Sequence, residues 1–189
     1  MSYFIERKIQ MGNFEIALSN TLKHEGGYND VQGDAGGATN FGISLRFLKD
    51  LHKNANWVDV DNDGDIDAHD IKKLTKEDAS KIYYTEFWLK NKCDKIIDSN
   101  IASKLFDMSV NMGNKQAAKL LQGALKLAGY DLVVDGILGP KTLELLNKSN
   151  PVEISMFLRY QCINFYVKLV EANPVYQKFI KGWLRRAIS

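Results

Sequence analysis

The sequence predicts a mainly α-helical protein with one small, irregular β-hairpin after its first helix. Apolar residues recur at steps of three and four over most of the chain, which is the spacing of one buried helix face. Capping residues and glycines separate these stretches from one another. Only the glycine-rich residues 28–43 alternate in the manner of short strands. The chain has 189 residues, of which 45% are hydrophobic, so it can bury a substantial core.

The first helix is predicted over residues 13–25. Leu18, Leu22 and Glu25 share its apolar face, together with aromatic and small residues one and two turns earlier. Gly26-Gly27 follows at once and ends the helix. A carboxylate therefore stands at the carboxyl end of a buried stripe.

The rest of the chain is predicted to form the hairpin and a series of amphipathic helices. In the hairpin, Thr39, Phe41 and Ile43 alternate. Thr75 opens the string TKED, which has the pattern of a capping box. The later helices are expected over 44–53, after Thr75, over 101–112, over 117–128, from Pro140, from Pro151, and in the tail after Asn173.

Hydropathy and cysteine content limit where the protein works. No run of eighteen apolar residues occurs, which excludes a membrane-spanning helix. The amino-terminal residues contain no uncharged apolar stretch of signal-peptide length, so we expect synthesis in the cytoplasm and another route of export if the protein works outside. For Cys93 and Cys162 we expect two buried free thiols rather than a disulfide bridge.

The net charge of +2 conceals an uneven distribution. Six aspartates lie within residues 59–70, a segment that contains no Lys or Arg. The rest of the chain has 25 basic side chains against 17 of the 23 acidic ones. A basic body suits a polyanionic partner, and both a cell-wall polymer and a nucleic acid meet that description.

Glu25 has the properties of a general acid. Burial disfavours an ionised carboxylate, and so does the negative end of a helix dipole. A carboxyl group that stays protonated can give its proton to a leaving group. Asp34 follows nine residues later and Thr39 five beyond it, in a hairpin that would fold back over the helix end. An acid with a second carboxylate nearby is the set that glycoside hydrolysis needs.

The string EGGYNDVQGDAGGATNFGIS, which begins at Glu25, resembles glycoside hydrolase family 108, a family of lysozyme-like proteins of the secretion-activator type. FDMSVNMGNKQAAKLLQGAL, VDGILGPKTLELL and KFIKGWLRR are similar to later segments of the family, so the resemblance covers roughly residues 12–187. It implies a lysozyme-like helical fold over residues 1–93, with the aspartate segment, and a helical peptidoglycan-binding region over 94–189, packed into one body.

The resemblance also implies an activity, namely that of an N-acetylmuramidase. Such an enzyme cleaves the β-1,4 bond between N-acetylmuramic acid and N-acetylglucosamine in peptidoglycan. Glu25 is carried over as the catalytic acid, with Asp34 and Thr39 as further catalytic residues. The interval from Asp34 to Thr39 is one residue shorter than in the phage-type muramidases. Tyr28 and Asn111 correspond to residues that contact substrate in the cleft.

Residues 59–70, the aspartate loop, match the calcium-binding loop of an EF-hand. Numbered from one to twelve, the loop has aspartates at one, three, five and twelve and glycine at six. Calcium prefers six to eight oxygen ligands, and this pattern supplies them. The expected ligands are Asp59, Asp61, Asp63 and Asp70 through their side chains and Asp65 through its carbonyl. Asp70 departs from the usual glutamate at position twelve. A single loop of this kind indicates a structural Ca²⁺ site.

Three functional hypotheses follow from the sequence. The first is the muramidase; the second is a non-catalytic peptidoglycan-binding protein that assists secretion. The third is a lytic transglycosylase, which also needs one protonated glutamate, and the choice between inversion and retention at the sugar stays open. For the first we expect a monomer that acts at the periplasm or cell wall on peptidoglycan. It would be released by a holin or a secretion system, without nucleic-acid binding or membrane insertion.

Overall fold

The regular secondary structure of the described residues is helical except for one small sheet. The computed structural model describes residues 13–22, 28–29, 37–53 and 56–189. The sheet has two antiparallel strands, so the predicted fold, mainly helical with a small hairpin after the first helix, is confirmed. The chain divides into two units, Met1–Glu86 and Phe87–Ser189. None of the described helices is both long enough and apolar enough to cross a membrane.

The first unit contains the short helices and the sheet. Its described elements are α1 (residues 13–22), β1 (Thr39–Asn40), β2 (Ile43–Ser44), α2 (Leu45–His52), a 3₁₀ turn (Asn56–Val58), α3 (Ala68–Lys73) and α4 (Lys76–Tyr83). The predicted capping box at Thr75 is confirmed, because its side chain accepts from the Asp78 N–H and the Asp78 side chain accepts in return from the Thr75 N–H. The core of this unit includes the fully buried Leu48, Ile71 and Ile82.

The hairpin differs from the prediction at Phe41, which lies in the turn and not in a strand. Thr39 pairs with Ser44, and Asn40 pairs with Ile43. The two residues between the strands both have positive φ, 49° at Phe41 and 75° at Gly42. That conformation matches the twist of a two-residue hairpin. The Tyr83 hydroxyl donates a hydrogen bond of 3.0 Å to the Phe41 carbonyl and so holds the turn in place.

The second unit is built from longer helices. A π-helix (Tyr84–Leu89) contains the division between the units. It is followed by a 3₁₀ turn (Cys93–Lys95), α5 (Ser99–Met112), α6 (Asn114–Leu127), α7 (Pro140–Lys148), α8 (Pro151–Ala172), a 3₁₀ helix (Pro174–Phe179) and α9 (Ile180–Ile188). Pro140 and Pro151 lie in the first turns of α7 and α8, as predicted. The tail differs from a single helix because its first six residues are 3₁₀.

The core of the second unit lies where α6 packs against α5 and α8. The buried face of α8 consists of Ile154, Leu158, Cys162 and Tyr166, at steps of four. The apolar spacing of the sequence predicts instead a face through Ile154, Leu158, Phe165 and Leu169, so the structure differs from this prediction after Leu158. The fully buried core side chains in α5, α6 and α8 include Leu105, Phe106, Leu121, Leu125, Ile154 and Leu158.

The carboxy-terminal helix is tied to α5 by an ion pair. The Arg186 guanidinium donates to both carboxylate oxygens of Asp107, with Nε–Oδ2 at 3.0 Å and Nη2–Oδ1 at 2.8 Å. A bidentate pair of this kind is stronger than a single contact. Nearby, the Lys104 ammonium donates to the Arg186 carbonyl. These contacts hold α9 against the core.

Both cysteines are free and buried, as predicted. Burial raises the pKa of the Cys93 thiol well above its usual range and that of Cys162 to about 11. The Cys162 Sγ lies 3.5 Å from the Met108 Sδ. Both thiols therefore stay protonated and act as core residues.

Candidate active site

Helix α1 buries the apolar face that the sequence predicts for the first helix. Phe14, Ala17, Leu18 and Thr21 are all less than a tenth exposed. The Phe14 ring packs edge-on against Tyr84, with 4.9 Å between ring centroids. The sequence predicts that this face continues to residue 25. Glu25 and Asp34 themselves lie outside the described residues.

Thr39 lies in the first strand of the sheet, and backbone pairing fixes its position. The Thr39 N–H and carbonyl are bonded to the carbonyl and N–H of Asn29, each at 2.8 Å. Its half-buried side chain donates from Oγ1 to the Gly37 carbonyl at 3.4 Å. Thr39 is thus held between two neighbouring backbone segments.

Asn40 anchors this sheet. Its side chain is 6% exposed, and Nδ2 donates to the carbonyls of Ile71 (3.0 Å) and Leu74 (3.4 Å) at the end of α3. A buried amide with two carbonyl partners fixes the sheet against the helix that follows the aspartate loop. Asparagine beside a positive-φ turn gives no sequence signal that distinguishes this role from turn formation.

The two predicted substrate-contacting residues lie in different units. Tyr28 belongs to the first unit, directly before the Asn29 that pairs with Thr39, and 43% of its side chain is exposed. Asn111 is exposed at the end of α5 in the second unit. Its Oδ1 accepts a hydrogen bond of 2.7 Å from the Tyr166 hydroxyl. Burial raises the pKa of Tyr166 above its usual range, so the hydroxyl remains a donor.

The aspartate loop is stabilised by hydrogen bonds from its own backbone N–H groups. Asp59 accepts from the N–H groups of Asn62 (2.7 Å) and Gly64 (3.0 Å). Asn62 and Gly64 have positive φ, 61° and 96°, which turns the loop sharply. Ile66 is 7% exposed and fixes the loop to the core. Carboxylate oxygens of Asp59, Asp61 and Asp63 lie within 4.8 Å of one another, and a second such group comprises Asp65, Asp67 and Asp70.

Asp70, at the twelfth position, joins the two ends of the loop. It is 1% exposed, and its two oxygens accept from the N–H groups of Val60 (2.8 Å) and Asp67 (2.9 Å). It also completes the capping box of α3 with Asp67. The short aspartate side chain thus reaches the loop backbone from within the helix.

Electrostatic repulsion within the loop is only partly compensated. The neighbouring carboxylate of Asp63 raises the pKa of Asp65, whereas a hydrogen bond from the His69 N–H lowers that of Asp67. The Lys73 ammonium lies 3.1 Å from Asp61 Oδ2. The other oxygen, Asp61 Oδ1, is buried and accepts no hydrogen bond from any described residue. An unsatisfied buried carboxylate oxygen is costly, and a hard cation is a suitable partner for it.

Two further features of the structure lie outside the residues predicted from the sequence. Glu86 is 8% exposed within the π-helix, a conformation frequent at functional sites. The burial of Glu86 could have been predicted from the sequence, because Ala79, Ile82 and Glu86 share one helical face. The second feature is a pocket in the second unit near Lys92 and Lys115. Its residues are far apart in sequence, so no local pattern reveals it.

Comparison with known proteins assigns both halves of the chain to family models. Residues 18–113 match the model described as Glycosyl hydrolase 108, and residues 116–188 match the Predicted Peptidoglycan domain. The solved structure of Brucella abortus SagA is similar, with a TM-score of 0.73 and 27% sequence identity over 94% of this chain and 90% of that chain. No curated protein matches significantly.

Proposed function

The chain belongs to glycosyl hydrolase family 108, and from this premise we propose that it is an N-acetylmuramidase. The two family matches, in the order expected from the sequence, support a glycosidase that acts on peptidoglycan. The finer proposal is that it cleaves the β-1,4 bond between N-acetylmuramic acid and N-acetylglucosamine. The observation that carries this proposal is the family match over the segment that contains Glu25, Asp34 and Thr39.

In the proposed mechanism, Glu25 protonates the glycosidic oxygen as the bond to the sugar breaks. The burial of the face of α1 that precedes it supports this role, because a carboxyl group continuing an apolar face is biased toward its neutral form. Asp34 would stabilise the positive charge at the anomeric carbon or orient the attacking water. Thr39, held by its pairing with Asn29, would assist that water. Tyr28 and Asn111 would contact the glycan.

The products of digestion test the reaction type. A muramidase leaves a reducing N-acetylmuramic acid end, whereas a lytic transglycosylase leaves an anhydro end that is lighter by one water. Mass spectrometry of purified sacculi digested by the full chain separates these products. Reducing ends are the expected result. Anhydro ends would indicate a lytic transglycosylase instead of a muramidase. If the protein sediments with intact sacculi but does not clear them, it is a non-catalytic binder.

We further propose that the aspartate loop holds a structural Ca²⁺ ion. The side chains of Asp59, Asp61, Asp63 and Asp70 and the carbonyl of Asp65 would be its ligands. The fit rests on two observations: the clustered carboxylate oxygens and the buried, unpartnered Asp61 Oδ1. When bound, the ion would neutralise the loop and fix the start of α3. It has no part in the chemical step.

Calcium is expected to raise the thermal stability of the protein. At about a hundredfold excess over the dissociation constant, the gain in unfolding free energy would be about 2.7 kcal/mol. The measurement is thermal unfolding with Ca²⁺ or with a chelator. Asp63→Asn should lose most of the gain, whereas Asp131→Asn, an exposed aspartate outside the loop, should keep it. Equal melting temperatures with and without Ca²⁺, together with no heat of binding in calorimetry, would contradict the site.

A further inference from the structure

A pocket of about 450 Å³, lined by charged, amide and apolar residues, lies within the second unit, at the amino end of α6. Three segments line it: residues 90–92 after the π-helix, Asn114 and Lys115 at the start of α6, and residues 135–138 in the loop before α7. We call it the lysine pocket, after Lys90, Lys92 and Lys115. It draws on both matched regions of the chain, 18–113 and 116–188.

Buried amides hold the walls of this pocket rigid. Asn91 is 4% exposed, and its Nδ2 donates to Ser109 Oγ (2.5 Å) and to Asn114 Oδ1 (2.8 Å). This fixes the segment with Lys90 and Lys92 against α5 and the start of α6. Residues whose neighbours are locked by buried hydrogen bonds are pre-organised for binding.

The opposite wall is fixed by Gln122, which is 1% exposed. Its Nε2 donates to Asp135 Oδ1 (2.8 Å) and to the Ile137 carbonyl (3.0 Å), and its Oε1 accepts from the Gly136 N–H (2.8 Å). Gly136 has φ +81°, and a Cβ there would lie 2.9 Å from the Lys115 carbonyl oxygen. Only glycine therefore lets this loop approach α6 so closely.

The charges around the pocket are mixed, with positive charge in excess. Lys92 and Lys115 line the pocket together with one carboxylate, Asp135, whose pKa is lowered by hydrogen bonds from Gln122 and from the Ile137 N–H. Asp135 Oδ1 receives both of these bonds, and Oδ2 accepts none from the described residues. Ile137, which is 64% exposed, adds an apolar surface at the rim. The positive end of the α6 dipole, which no side chain caps, reinforces the attraction for an anion.

We propose that the lysine pocket binds the stem peptide of peptidoglycan, with peptide carboxylates at the lysines and the free side-chain amine of its diamino acid at Asp135. This proposal rests on the proposed function, since it names a part of the same substrate. A zwitterionic ligand satisfies both signs of charge, whereas a phosphate would meet repulsion from Asp135. The short alanine side chains of a stem peptide suit the apolar rim.

Calorimetric titration of the full chain with the tetrapeptide N-acetyl-L-alanyl-D-glutamyl-diaminopimelyl-D-alanine, whose one free amine is that of the diaminopimelyl residue, tests the proposal. We expect binding that weakens about tenfold in Lys92→Gln/Lys115→Gln, because charge-assisted hydrogen bonds are lost. Lys126→Gln, an exposed lysine near the other end of α6, should bind as the wild type does. Acetylating the peptide amine or amidating its carboxylates should also weaken binding, which tests the ligand without altering the fold.

The outcomes separate this proposal from the muramidase proposal. The free peptide contains no glycosidic bond, so its binding does not depend on catalysis. If the chain binds the peptide but does not cleave glycans, the pocket assignment holds and only the enzyme assignment is excluded. No binding of the tetrapeptide, equal binding by wild type and the double variant, or binding of inorganic phosphate in place of the peptide would each overturn the pocket assignment.

Discussion

Glu25→Gln is expected to slow the lysis of purified sacculi by about a thousandfold, because general-acid catalysis contributes a factor of this order. The amide has almost the same shape as the carboxylic acid but gives no proton to the glycosidic oxygen. Binding to the wall should therefore be retained. Turbidity measurements give the rate of lysis, and sedimentation with sacculi gives the binding.

The matched control is Glu15→Gln in the same helix. Glu15 lies on the exposed side of α1, so the same chemical change there should leave lysis unchanged. A glycoside of the same sugar with a dinitrophenol leaving group provides a second control, since this group departs without protonation. Glu25→Gln should lose far less activity on that substrate than on sacculi. Near-normal lysis by Glu25→Gln, or equal losses on both substrates, would exclude Glu25 as the acid.

The elements that the sequence predicted well are those specified by local chemistry. Thr75, Pro140 and Pro151 mark helix starts through capping and fixed φ, and all three are confirmed. These signals act within one turn of the chain, so a single sequence contains them completely. The Ca²⁺ site in the aspartate loop and the role of Glu25 stay predictions.

The features that the sequence did not predict depend on long-range packing. Phe41 alternates with its neighbours, yet it occupies the turn, where the hydroxyl of Tyr83, 42 residues later, binds its carbonyl. The buried face of α8 follows Cys162 and Tyr166 because α6 and α9 pack against it. The lysine pocket joins three segments that only the fold brings together. No local pattern encodes such contacts.

Gln122 also makes long-range contacts that no local pattern encodes. It is a polar residue among the buried leucines and alanines of α6, and the sequence gives no sign of its partners. Its position is one that an apolar residue would fill equally well by volume. The structure instead gives its amide three hydrogen bonds to residues 135–137. Two competing effects of replacing it can be estimated: a gain from burying more apolar surface and a loss from the groups left without partners.

Gln122→Leu is expected to lower the free energy of unfolding by about 3 kcal/mol. Leucine gains about 1–2 kcal/mol from apolar burial. Against this, the Gly136 N–H and the Ile137 carbonyl lose their partner, at about 1–3 kcal/mol for each group. The exposed Asp135 also loses one of the two hydrogen bonds that its Oδ1 accepts. The loss exceeds the gain because one side chain serves three groups.

Urea unfolding measures the difference in unfolding free energy between Gln122→Leu and the wild type, provided that both show the same dependence of this free energy on urea concentration. Gln116→Leu is the matched control. Gln116 lies on the same helix, is half-buried, and forms no hydrogen bond with the described residues, so its replacement should change stability by no more than about 0.5 kcal/mol. If Gln122→Leu were as stable as the wild type, apolar burial would outweigh the hydrogen bonds and the loop would not depend on them. If instead the expected loss appears, weaker binding of the tetrapeptide by the folded variant should accompany it, since Gln122 holds the wall that carries Asp135.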